Sequence, residues 1–165
     1  MAPSRLALTS RTMTAPSPSA SPSPEQQPLR PFSQGWAEAL CAAINASEPY
    51  RTAGARWTWH VALVVERNAK LGFAHDQGVV LALEHGQCKG VKLVDGKHAR
   101  APFIFRAPYA QWKRLAKGEV DPIIAVMKGE ITFTGSMTTL MQHSRAAKAL
   151  VECTRVVPTA FAEDV

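Results

Sequence analysis

The chain has 165 residues, 46% hydrophobic and 19% charged, with a formal charge of +6. That length can bury about two thirds of its unfolded surface in a single core without staples. No stretch reaches the roughly 18 consecutive apolar residues of a membrane helix. There is also no CxxC pair, no HExxH zinc motif, no GxSxG elbow and no Gly-rich phosphate loop.

Residues 1–31 hold more than half of the twelve prolines together with many Ser and Ala. Proline removes backbone donors and blocks helix, so this segment is expected to be a disordered tail. It has Arg5 and Arg11 but no apolar run of the kind a secretory signal needs. The basic bias elsewhere is spread thinly. It suits a solvated surface, with anionic lipid surfaces or anionic ligand heads as its functional counterpart.

From Ser33 the pattern becomes helical. Ser33 can cap a helix in which Trp36, Leu40 and Ile44 share one side. The segment 45–49 ends it, and Tyr50 to Arg56 offers a further helical turn before Gly54 interrupts. Trp57 to Arg67 then alternates as a strand. Trp57, Trp59, Val61, Leu63 and Val65 lie on one face, with a mixed set of Thr58, His60, Ala62, Val64 and Glu66 on the other. Further strands are expected at 79–84, 88–94 and 101–106, the last with Phe103 and Phe105 on one face. The short turns between these three strands predict antiparallel neighbours. Residues 108–117 read as a short helix with Tyr109, Trp112 and Leu115 together.

The densest signals lie between Gly118 and Met141. Asp121 and Pro122 form a cap and a first helical position, and Gly129 stops an apolar helix of Ile123, Ile124, Val126 and Met127. Glu130 to Thr134 alternates, with Ile131 and Phe133 on one face. Ser136 can cap a last helix whose apolar face runs Met137, Leu140, Met141, Leu150 and Val151. The order α, β, β, β, β, α, α, β, α gives an α+β sheet with helices mainly on one face.

Polar chemistry is sparse. His60, His75, His85, His98 and His143 have no metal-ligand spacing, so no metal and no cofactor are expected. Ser136 is better used as a cap than as a nucleophile. Trp112 beside Lys113, Arg114 and Lys117, with the basic hairpin of Lys89, Lys92, Lys97 and Arg100, could track phosphates. Trp112 faces the apolar side of its helix, however, so no nucleic-acid partner is expected. Cys41, Cys88 and Cys153 are odd in number and far apart. They read as buried free thiols in a reducing compartment, the cytoplasm, with a disulfide between two of them left open.

The spacing of Gly118, Asp121-Pro122, Ala125, Met127, Gly129, Ile131, Phe133, Gly135 and Leu140 resembles the sterol carrier protein type 2 family, a lipid-binding and lipid-transfer fold. Ala107-Pro108 with Trp112 and Leu115, and further back Trp36, Leu40, Ile44-Asn45, Tyr50 and Trp57, match the same family. The resemblance spans about residues 32–157, and the chain looks like a small stand-alone member of bacterial type. It lacks the Ser-Lys-Leu address that eukaryotic members commonly carry, ending instead in Ala162-Glu163-Asp164-Val165.

The resemblance implies a five-stranded sheet under helices with an apolar tunnel between the layers. It implies a domain at 32–157 between a Pro/Ser-rich tail and a short C-terminal tail at 158–165. The expected partner is a lipid, of fatty acyl, sterol-like or isoprenoid type, with a transient membrane contact and no catalysis. The expected lining is Phe103, Phe105, Trp112, Leu115, Ile124, Met127, Phe133, Leu140 and Met141. Two other functions fit the same pattern. The domain could present a hydrophobic substrate to an enzyme, or act on one with His60 or a loop carboxylate as base. Alternatively it is a protein-interaction module with a collapsed cavity.

Overall fold

The computed structural model describes residues 28–162. The expected disordered tail therefore falls almost wholly outside the described residues. Six helices and five strands follow in order. They are α1 (Gln34–Ala46), α2 (Glu48–Ala53), β1 (Val61–Val65), β2 (Gln77–Glu84), β3 (Gln87–Asp95) and β4 (Phe103–Ala107), then α3 (Tyr109–Ala116), α4 (Pro122–Met127), β5 (Thr132–Thr134), α5 (Met137–Gln142) and α6 (Ser144–Val156).

Local chemistry starts these elements where the residues allow it. The Ser33 hydroxyl accepts from Trp36 N, Ser47 from Tyr50 N and Ser136 from Thr139 N. Each hydroxyl satisfies one amide that the first helical turn leaves without a partner. Between β2 and β3 the chain turns in two residues, His85 and Gly86, both at positive φ (51° and 80°). This is the mirror-image turn that suits the twist of a hairpin. A side chain at Gly86 would also meet the Arg51 carbonyl oxygen at 2.6 Å, which leaves no room for a larger residue.

The sheet order is β3-β2-β1-β4-β5. β2 pairs with β3 and with β1 in antiparallel register, β4 with β5 likewise, and β1 runs parallel to β4. The α+β class and five-stranded sheet are as expected from the sequence, but one pairing is not. β4 does not lie beside β3; the chain leaves β3 through the turn at Gly96–His98 and crosses to the far side of β1. The residues explain the choice. β3 carries Gln87, Lys89 and Lys92 exposed, and such a strand suits an edge. β1 is Val-Ala-Leu-Val-Val, buried at every position, and needs cover along both edges.

Val61, Leu63 and Val65 of β1 join Val79, Leu81 and Leu83 of β2 and Phe103, Phe105 and Ala107 of β4 in one core. The helices lie over this face. α6 is their hub, touching α1, α2, α3, α4 and α5 in turn. Its apolar stripe of Ala146, Ala149, Leu150 and Cys153 is buried. The expected single C-terminal helix is in fact two. His143, at φ −114°, breaks it, its amide donating back to Thr139 and Leu140. The break re-aims the stripe, so Leu140 and Leu150 are buried while Met137 and Met141 are 44% and 45% exposed.

Two further findings depart from the sequence reading. Cys41 of α1 and Cys88 of β3 form a disulfide with Cα atoms 5.4 Å apart, so only Cys153 is a buried free thiol. Residues forty-seven apart in sequence are brought together by packing, which spacing along the chain does not reveal. The two ends of the described chain also pair beyond the expected 32–157 bounds. Leu29 N donates to the Pro158 carbonyl at 2.9 Å and Ala160 N to Leu29 at 2.8 Å.

Candidate functional site

Between the sheet and the helices lies an apolar slot of about 40 Å³. The sheet supplies its floor. Val61 and Leu63 come from β1, Leu83 from β2 and Phe105 from β4, all on the inward parity of their strands. The roof comes mainly from α6, with Ala146, Ala147, Leu150, Val151 and Thr154. Tyr50, Trp57, Trp112, Leu115, Pro122, Ile131 and Leu140 complete the wall.

Trp112 is anchored by its indole N–H, which donates to the Val64 carbonyl at 2.9 Å and ties α3 to the sheet centre. Pro122 reaches the wall because Asp121 starts α4 there, its carboxylate accepting from Ile123 N and Ile124 N. Polar groups are few. The Thr154 hydroxyl is spent on the Val151 carbonyl at 2.5 Å, and burial, reinforced by Cys153, pushes the Tyr50 phenol well above its ordinary value and keeps it neutral. No charged side chain lines the slot. Among the described residues there is no cluster of His, Cys, Asp or Glu that could hold a metal, and no helix long and apolar enough to cross a membrane.

Of the nine expected lining residues, Phe105, Trp112, Leu115 and Leu140 line the slot. Phe103 and Phe133 stand one layer behind, their rings 5.9 Å apart, with Phe133 also 5.0 Å from Phe105. Ile124, Met127 and Met141 do not face inward; they are 51%, 68% and 45% exposed. The frame set by the Asp121 cap turns Ile123 and Val126 to the interior instead, and the break at His143 does the same for Leu140 over Met141. The sequence reading assigned no lining role to Tyr50, to Pro122 or to the α6 residues. The period of α6, with Ala146, Leu150, Val151 and Thr154 at helical spacing, was the signal that could have found the roof. His60, the candidate base, is exposed and outside the slot.

A second, open cleft is lined by Thr52, Ala53, Ala55, Arg56, Gln142 and His143. The His143 ring stands 5.3 Å from Trp57 and 5.8 Å from Trp59 in edge contacts, with Nδ1 3.0 Å from the Thr139 carbonyl.

The chain is thus an α+β domain, a mixed five-stranded sheet roofed by short helices over an apolar slot. The profile of the SCP-2 sterol transfer family matches residues 55–148, and the chain belongs to that family. A crystal structure of sterol carrier protein 2 is 37% identical at a TM-score of 0.74, covering 78% of this chain and 99% of its own. A conserved hypothetical protein of Thermus thermophilus, a candidate sterol carrier protein, is 36% identical at 0.72, covering 79% and 92%. No curated protein sequence matches the chain.

Proposed function

We propose that the domain binds a hydrophobic ligand between sheet and helices and carries it without chemical change. The observation that supports this best is the slot itself, with its apolar floor and roof and no charged group on its wall. Removing a CH₂ group from water there gains about 0.8 kcal/mol, so a long acyl chain gains on the order of 10 kcal/mol before ordering costs. A fatty acyl, sterol-like or isoprenoid ligand shares this driving force. Membership of a sterol transfer family and the likeness to sterol carrier protein 2 support the same reading.

A slot of about 40 Å³ has room for only a few waters, since one needs roughly 10–15 Å³ of such space. A long ligand must therefore widen it. α4 and α5 have six residues each, like α2, and both are joined to the rest by glycine turns or a helix break. They also carry the exposed Ile124, Met127, Met137 and Met141. Such flexible apolar side chains suit a transient contact with a lipid surface from which a ligand is collected.

Native mass spectrometry of freshly purified protein, followed by organic extraction, tests this reading. The expected result is a discrete added mass that extracts as a lipid. A bare chain that also binds no apolar probe overturns it and favours an interaction module with a closed core.

A further inference from the structure

Four residues on the wall of the slot carry a polar side-chain group: Tyr50, Trp57, Trp112 and Thr154. Three of them have spent their hydrogen. The Trp57 indole N–H donates to the Trp59 carbonyl at 2.8 Å, the Trp112 indole N–H to the Val64 carbonyl at 2.9 Å, and the Thr154 hydroxyl to the Val151 carbonyl. The Tyr50 hydroxyl has no hydrogen-bond partner among the described residues, although the residue is only 1% exposed.

A buried hydroxyl without a partner is costly, because nothing replaces the water that it gave up. A single water is a poor substitute. It needs about two to four polar partners, and the rest of this wall is hydrocarbon or already paired. Nor does the phenol ionise. Burial, reinforced by Cys153, raises it well above its ordinary value, so it keeps a proton to share. The ring is also held in place, its Cζ end against Gly54, where a Cβ would stand 2.9 Å away.

The slot is thus left with one neutral donor on an otherwise satisfied apolar wall. Its complement is an acceptor that brings neither charge nor a hydrogen of its own. A carboxylate fails the first condition, because no cation lines the slot to offset its desolvation. An alcohol fails the second, since it adds a donor where one is already to spare. A ketone or ester carbonyl meets both.

We propose that Tyr50 is the specificity-determining residue of the slot, its hydroxyl donating to the carbonyl oxygen of an uncharged ketone or ester carried there. This rests on the carrier reading above and narrows its ligand from any apolar molecule to a carbonyl-bearing one.

Binding of decyl methyl ketone, of the alcohol formed by its reduction and of dodecane to the full chain and to Tyr50→Phe tests the assignment, since the substitution removes only the oxygen. The ketone is expected to bind the unaltered chain about tenfold more tightly than Tyr50→Phe, as one hydrogen bond supplies. Dodecane should bind the two within about twofold of each other, and the alcohol should show no more than about a threefold difference. The infrared carbonyl stretch of the bound ketone should lie lower in the unaltered chain than in Tyr50→Phe, a shift that a merely structural role of the ring would not give. Without ligand, Tyr50→Phe should keep or raise the urea midpoint, because no bond within the protein is lost. A lowered midpoint would show that the hydroxyl already has a partner and would overturn the assignment. Equal ketone binding by both chains with one stretching frequency also overturns it and leaves the slot standing, and an equal gain for the alcohol overturns the choice of a carbonyl. Binding of none of the three to the unaltered chain removes the slot and the assignment together.

Discussion

The carboxylate of Asp121 shows what a single side chain does for the wall of the slot. It accepts from Ile123 N at 2.8 Å and Ile124 N at 3.2 Å, and Lys148 Nζ of α6 stands 3.3 Å away. Partial burial pushes this carboxyl upward, but the two amides and Lys148 outweigh it and hold the group below its ordinary value of 3.8. A depressed folded value means stability that is present above the ordinary value and is lost as pH falls through the folded one. Asp121→Ala should cost about 1 kcal/mol at neutral pH in urea denaturation. The gap between the variant and the unaltered chain should close below about pH 3.8, as the parent carboxylate takes up its proton. Asp121 was legible in the sequence because capping is local. The residue that it aims inward, Ile123 and not Ile124, was not legible, because a helix of six residues has too few turns to declare its buried face.

Among the elements, α1 and β3 carry the strongest cross-link. The Cys41–Cys88 disulfide spans 47 residues, and Asn45 on the next turn of α1 holds the same strand position twice. Its amide donates to the Cys88 carbonyl at 3.0 Å, and its carbonyl oxygen accepts from Cys88 N at 2.8 Å. Closing a loop of that length stabilises by about 2–4 kcal/mol through the unfolded chain. Reduction should lower the urea midpoint accordingly while leaving the far-ultraviolet spectrum intact, since Asn45 still docks the helix. An unchanged midpoint would mean that the bridge contributes nothing. The helix, its Ser33 cap and the alternation of the strands could all be read along the chain. The bridge, and the passage of β4 to the free edge of β1, could not. Both depend on which surfaces remain uncovered after other elements have packed, and no spacing within a segment encodes that.

For the whole molecule, α6 holds the layers together. It contacts every other helix and roofs the slot, and its Cys153 and Leu150 sit in the same core as the Tyr50, Leu40 and Ile44 of the first two helices. A chain ending at His143 should lose the cooperative urea transition and the near-ultraviolet signal of its buried tryptophans, while keeping much of its secondary structure. A sharp transition in that fragment would show that the sheet and the earlier helices form a core alone. The apolar period of this helix was plain in the sequence, and the layer that it seals was not, because the sheet beneath is assembled from strands far apart along the chain.

That the roof is made after the sheet it covers has a consequence for how the protein comes into being. A ribosome releases β1, β2 and β4, with Val61, Leu63, Leu83 and Phe105 on their inner face, well before α6. Until then the apolar sheet face lacks the roof that α6 supplies, and such surfaces favour self-association. The growing chain is therefore at greatest risk in the interval before α6 emerges. Any small apolar molecule able to lie along that face at this stage would shield it from such contacts.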